Sequence, residues 1–176
     1  IMPGDLVHCD FGITYLTLNT DCQELAYVLN PEEKDAPSFL KEALKQGNAV
    51  QDALTRNFKK GRTGNQTLIK TIKESKSKGL RPQIYTHPLG LYGHSAGTTF
   101  GMWDAQEGVP GSGDHPLYED TVYAIELNAR VYIEKWQKDI RVMLEEAGYF
   151  GPNGFRYVNG RQKELILVGK KSSFLE

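Results

Sequence analysis

The chain carries carboxylates and imidazoles at spacings that can converge. Asp10 and Asp21 lie eleven positions apart on two segments able to pair, so their side chains can meet while Phe11-Gly12 and Asn19-Thr20 shape the turn between them. Two carboxylates placed together repel unless a cation or a proton sits between them. His87 and His94 stand seven apart in Thr86-His87-Pro88-Leu89-Gly90-Leu91-Tyr92-Gly93-His94, one at the mouth of a strand and the other in a glycine-rich loop. Glu126 interrupts the apolar run Val122-Tyr123-Ala124-Ile125-Glu126-Leu127, where an ionised carboxylate is costly unless paired or metal-bound. The acidic pair Glu145-Glu146 ends a second apolar run, Ile140-Arg141-Val142-Met143-Leu144. Each has an ordinary reading alone: a turn or cap aspartate, a structural histidine, an edge glutamate, a solvated strand end. Together, four carboxylates and one imidazole suit a pair of hard or borderline divalent ions, with carboxylates bridging both. Two such ions about 3.5–4 Å apart bind a hydroxide and polarise a carbonyl, which is the chemistry of a hydrolase.

The elements that must position these groups follow from the hydrophobic periods. Leu6 to Leu18 and Leu25 to Leu29 read as extended, paired segments ending at Asn30-Pro31. From Ala36 the period changes: Leu40, Leu44, Gly47, Val50, Leu54 and Phe58 fall on one helical stripe that stops at Lys59-Lys60-Gly61. Thr63-Gly64-Asn65 can cap a second helix through Leu68, Ile69 and Ile72, closing at Lys78-Gly79. Pro82 to Thr86 reads as a short strand, Leu89 to Gly113 as a long functional loop, and 121–131, 140–150 and 164–168 as strands. This order predicts an α+β layer, helices packed on one face of a mostly antiparallel sheet.

Residues 1–176 are predicted to form one domain, since a chain of this size buries roughly 70% of its unfolded surface. With 21 basic and 22 acidic side chains and a formal charge of -1, no field is present to hold a polyanion, so nucleic acid is not an expected partner. No apolar run approaches the roughly 18 residues of a membrane span, and the start has no charged-then-apolar leader, so a water-soluble chain is expected. The opening Ile1-Met2-Pro3-Gly4-Asp5 runs straight into a strand pattern, which leads us to expect a piece of a longer chain and leaves the compartment open.

The order Asp, eleven residues, Asp, then His-x-x-Gly-x-x-x-His, then Glu, then Glu resembles the superfamily of methionine aminopeptidase, aminopeptidase P and prolidase, the M24 metallopeptidases. The resemblance runs from about Pro3 to the end of the chain, and Pro3-Gly4-Asp5-Leu6-Val7-His8-Cys9-Asp10-Phe11-Gly12 is similar to the family's Gly-Asp-x-x-x-x-Asp-x-Gly strand. It implies the pita-bread fold, with the earlier half of the domain and its substrate-contacting histidine absent from this chain. It also implies that Asp10, Asp21, His87 and Glu126 ligate two divalent ions (Mn, Co or Zn), that Glu126 doubles as general base, and that His94 touches substrate and stabilises the tetrahedral intermediate. For the last ligand, Glu145 is preferred because Gly151-Pro152-Asn153-Gly154 behind it reproduces the prolidase-like strand and turn. Glu164, in Gln162-Lys163-Glu164, is the alternative, similar to the Gln-x-Glu of the methionine enzymes.

The chain departs from the family at Ser95-Ala96-Gly97, where an acidic residue and proline are common after the second histidine, at Leu127, where proline follows the glutamate, and at Arg141, four residues before Glu145 instead of two. These departures bear on substrate specificity more than on metal binding. Trp103 reads either as a loop anchor or as a wall of the substrate pocket. If Asp10 pairs opposite Asp21, Cys9 falls opposite Cys22, giving either two reduced thiols or a cross-strand disulfide. The implied function is removal of an N-terminal residue, before proline above all, from a peptide substrate by a metal-bridging hydroxide. A methionine aminopeptidase and a metal-free binding or scaffold member of the fold are the rival readings, and a homodimer is left open.

Overall fold

The computed structural model describes residues 1–169. Its strands are β1 (Leu6–Phe11), β2 (Thr14–Tyr15), β3 (Leu18–Asn19), β4 (Cys22–Val28), β5 (Pro82–Ile84), β6 (His87–Pro88), β7 (Thr121–Ala124), β8 (Leu127–Ile133), β9 (Lys138–Leu144), β10 (Ala147–Gly151), β11 (Gly154–Tyr157) and β12 (Ile166–Val168), and its helices are α1 (Ser38–Arg56) and α2 (Gly64–Ser77). All strand pairs among them are antiparallel except β12 with β4, so the α+β, mostly antiparallel architecture read from the sequence is the one observed.

Helix α1 forms as its stripe dictates. Leu40, Ala43, Leu44, Gly47, Val50 and Leu54 are buried on one side, and the helix packs over β8 and β9. Gly47 permits the close approach, because a β-carbon there would lie 2.8 Å from Val142 Cγ1 and 2.9 Å from Leu144 Cδ1. Helix α2 starts with a full capping box, the Thr63 hydroxyl accepting from Gln66 N while the Gln66 side chain accepts from Thr63 N. Behind the helices, Phe58 packs on Phe100, Tyr123, Phe150 and Phe155 at centroid distances of 5.0 to 5.7 Å, which ties the second half of the sheet to the end of α1.

The two long strands expected at 121–131 and 140–150 are each interrupted. Residues 125–126 separate β7 from β8, and residues 145–146 separate β9 from β10. Since Ala124 pairs with Ala147 and Leu127 with Leu144, the two breaks face each other. The neighbouring edge breaks at the same level, because Ile84 of β5 pairs with Leu127 and His87 of β6 with Ala124. The backbone stays hydrogen-bonded across the line: Ile125 N donates to Glu146 O at 2.8 Å and Tyr85 N to Glu126 O at 3.1 Å. The sheet therefore splits into β5-β8-β9 and β6-β7-β10-β11, folded along a seam that carries Glu126 and Glu145 and is flanked by His87.

A second correction concerns register. The first expected extended run, Leu6 to Leu18, is a strand followed by the small hairpin β2-β3. In the β1-β4 pair, Asp10 stands opposite Gln23, not Asp21, while Cys9 faces Glu24 and Cys22 faces Phe11. The hairpin makes the detour between the aspartates longer than a simple turn, which shifts the register. Both cysteines are free thiols, Cys9 exposed and Cys22 half-buried.

Candidate metal centre

Each candidate side chain sits at an element boundary. Asp10 is near the end of β1, Asp21 immediately precedes β4, His87 opens β6, Glu126 lies in the break between β7 and β8, and Glu145 lies in the break between β9 and β10. Gln23 N donates to Glu145 O at 3.1 Å, pinning β4 against the seam, so the first sheet is held where the second one bends. The hairpin that separates the two aspartates is held from both sides. Thr20 N donates to Ile13 O at 2.9 Å and Asn19 N to Gly90 O at 2.8 Å, while Asn19 Nδ2 reaches Leu91 O at 2.8 Å.

This arrangement brings all five side chains named from the sequence together. His87 Nε2 lies 3.6 Å from Glu145 Oε1, 3.7 Å from Glu126 Oε2 and 3.9 Å from Asp21 Oδ2. Three overlapping groups have their ligand atoms within 4.8 Å of one another: His87 with Glu126 and Glu145, Asp10 with Asp21 and Glu145, and Asp21 with His87 and His94. Asp21, His87 and Glu145 each belong to two of them. Glu164 is exposed beyond β11 and belongs to none.

Burial sharpens the electrostatics. His87, Glu126 and Glu145 retain only 3%, 6% and 1% of their exposure. Burial first, then the Glu145 charge, pushes the Glu126 carboxyl up to about 8. Burial followed by the charges of Asp21 and Asp10 pushes Glu145 to about 8 as well, and burial raises Asp21 in spite of the favourable His87. Burial and the neighbouring His87 lower His94. Acids held this far above their ordinary range are in want of positive charge.

The donor set fits a divalent cation on a second ground. Among the described residues, His87 Nε2 and Glu145 Oε1 are buried polar atoms with no hydrogen-bond partner, and they face each other across the same small space. Orphaned buried polar atoms are rare and costly. His87 Nδ1 faces Pro88 O at 3.1 Å; an N–H donated there leaves Nε2 as a free lone pair, the state in which an imidazole binds metal.

His94 stands at the open side of the cluster, its side chain 58% exposed, with Nε2 3.8 Å from Asp21 Oδ2 and its ring 4.0 Å from that of His87. Its Nδ1 is 3.1 Å from the Tyr85 hydroxyl, and the Tyr85 ring in turn packs edge-on against Trp103 at 5.7 Å. The half-buried Trp103 is thus linked to His94 through the Tyr85 ring, while Gln83 Nε2 donates to its carbonyl at 2.7 Å. Two residues that sequence reasoning passed over enter here: Tyr85, on His94, and Gln23, whose Nε2 donates to Glu126 Oε1 at 2.9 Å.

Comparison with known proteins follows the same line. No curated protein sequence matches the chain. Among solved structures, the X-Pro aminopeptidase of Thermotoga maritima superposes with a TM-score of 0.71 at 20% identity, over 96% of this chain and 43% of its own. The prolidase of Pyrococcus horikoshii OT3 gives 0.61 at 25% identity over 94% and 43%, and the methionine aminopeptidase of Thermotoga maritima gives 0.60 at 20% over 88% and 64%. The chain therefore spans less than half the length of the X-Pro aminopeptidase and the prolidase, and the fold it shares with them is the pita-bread fold. The model of metallopeptidase family M24 matches residues 1–157, and the chain belongs to that family.

Proposed function

We propose that the intact protein is a metal-dependent aminopeptidase that cleaves the first peptide bond of Xaa-Pro peptides, and that residues 1–176 form one unit of its catalytic domain. The observation that carries this reading is the pair of partnerless buried atoms, His87 Nε2 and Glu145 Oε1, inside a cluster otherwise made of carboxylates. In the proposal Asp10, Asp21, His87, Glu126 and Glu145 hold two divalent ions, Mn, Co or Zn. Such ions, when bound, supply Lewis acidity and a water activated near neutral pH.

The chain's own groups then divide the remaining work. Glu126, buried and with Oε1 accepting from Gln23 Nε2, can take a proton from the attacking water and pass it to the departing amine. His94, exposed and held at Nδ1 by Tyr85, has Nε2 3.8 Å from Asp21 Oδ2 at the edge of the cluster, where it would steady an oxyanion developing on the substrate. The strand and glycine turn behind Glu145, with Gly151 pairing Gly154 across the turn, support the Xaa-Pro choice over a methionine aminopeptidase.

The test is a side-by-side assay of the intact protein on Ala-Pro and Met-Ala peptides after loading with Mn. Faster turnover of Ala-Pro by about tenfold or more, corresponding to about 1.4 kcal/mol in barrier, is the expected outcome. Preference for Met-Ala would transfer the assignment to a methionine aminopeptidase.

A further inference from the structure

We propose that Gln23 is a positioning residue that fixes the orientation of the Glu126 carboxylate, and that the surface imidazole of His8 fixes Gln23 in turn. This rests on the reading of Glu126 as a metal ligand. Gln23 is only 1% exposed, although it lies in a strand whose first residues border the open side of the molecule. It shares a face of β4 with Leu25 and Tyr27, both buried, so its carboxamide is turned into the core, where an amide is tolerated only if it is hydrogen-bonded.

Both ends of that amide are engaged. Gln23 Nε2 donates to Glu126 Oε1 at 2.9 Å, and Gln23 Oε1 faces His8 Nε2 at 2.9 Å. The two contacts select one another: with the amide reversed, its oxygen would face the Glu126 carboxylate, two acceptors in contact. An N–H on His8 Nε2, donated to Gln23 Oε1, holds the amide the productive way round. The result is a line from an exposed imidazole through a buried amide to a buried carboxylate. With Oε1 held from the side, the other Glu126 oxygen, Oε2, is the one that lies 3.7 Å from His87 Nε2, facing the centre of the cluster. The same residue reaches the second glutamate through its main chain, Gln23 N to Glu145 O at 3.1 Å. One glutamine therefore sets the side-chain orientation of one carboxylate and the strand position of another.

Outer partners of this kind typically govern metal affinity by 10–100-fold. The test uses the intact protein with Gln23→Met, which keeps the length and loses the amide, and His8→Ala, which changes an exposed side chain. Mn and Co are titrated by calorimetry, and the visible absorption of the Co form is recorded. Gln23→Met is expected to weaken binding of at least one ion by about 10–100-fold and to alter the Co spectrum, and His8→Ala to act in the same direction by a smaller factor. Wild-type affinity and spectrum in Gln23→Met, whatever its melting temperature, would overturn the positioning role. Weakened Gln23→Met beside an unaffected His8→Ala would overturn the His8 limb, and a wild-type protein that binds no ion would instead overturn the metal reading beneath the proposal.

Discussion

Glu126 and Glu145 are both raised from an ordinary 4.5 to about 8, and this sets how the metal-free protein responds to pH. An acid whose folded pKa exceeds its unfolded value favours folding most below the unfolded pKa, and that contribution is lost as pH rises through the folded value. In chelator, the melting temperature of the intact protein is therefore expected to fall between about pH 5 and about pH 8. Glu145→Gln, which removes one charge from the cluster without changing its shape, should flatten that fall. It should also raise the melting temperature at about pH 8 by roughly 2–8 °C, for about 1–2 kcal/mol of relieved charge burial and repulsion, and abolish stabilisation by added Mn. Thermal denaturation at the two pH values decides this, and a wild type indifferent to pH in chelator would contradict it. The same residues show what the sequence makes legible. Asp10, Asp21, His87, Glu126 and Glu145 could be named because charge in an apolar strand is conspicuous and because their order resembles a family pattern. Gln23 is less conspicuous, since an uncharged amide beside Glu24 reads as an outward polar residue. The available signal was its alternation with Leu25 and Tyr27, which puts it on the buried face.

At the scale of elements, the helices were readable because a stripe such as Leu40, Leu44, Gly47, Val50 and Leu54 has one period and one partner surface. The strands were less so. Thr121 to Val131 and Ile140 to Phe150 look continuous in hydrophobicity, yet each is broken at its glutamates, because the bend depends on three neighbouring strands giving way at one level. The parallel pairing of β12 with β4 is likewise a long-range choice with no local signature. The hairpin between the aspartates carries its own test. A β-carbon on Gly12 would lie 2.2 Å from the carbonyl oxygen of Thr20, a clash with backbone that no rotamer relieves. Gly12→Ala is expected to push the hairpin open and separate Asp10 from Asp21. Metal affinity should weaken by about tenfold or more, roughly 1.4 kcal/mol, while far-ultraviolet circular dichroism stays that of the wild type. Calorimetric titration measures the effect, and unchanged affinity would show that the tight approach of Gly12 to Thr20 does not set the spacing of the aspartates.

For the whole molecule, two half-sheets meet along a seam, and a first sheet is fastened to it through Gln23 and Glu145. Helices on one side stiffen this frame, and the open side presents His94, Tyr85 and Trp103. The frame gathers like charges in its interior, an arrangement that costs stability unless cations neutralise it. Binding then adds stability as RT ln(1 + [L]/Kd), about 2.7 kcal/mol at a hundredfold excess over Kd. The most direct test of this account is the metal content of the intact protein at neutral pH, measured by elemental analysis after loading with Mn, Co or Zn and removal of free ion. The account predicts about two ions per chain in the wild type and, in Asp21→Ala, loss of at least one together with peptidase activity. A wild-type protein that retains no divalent ion after reconstitution would contradict it.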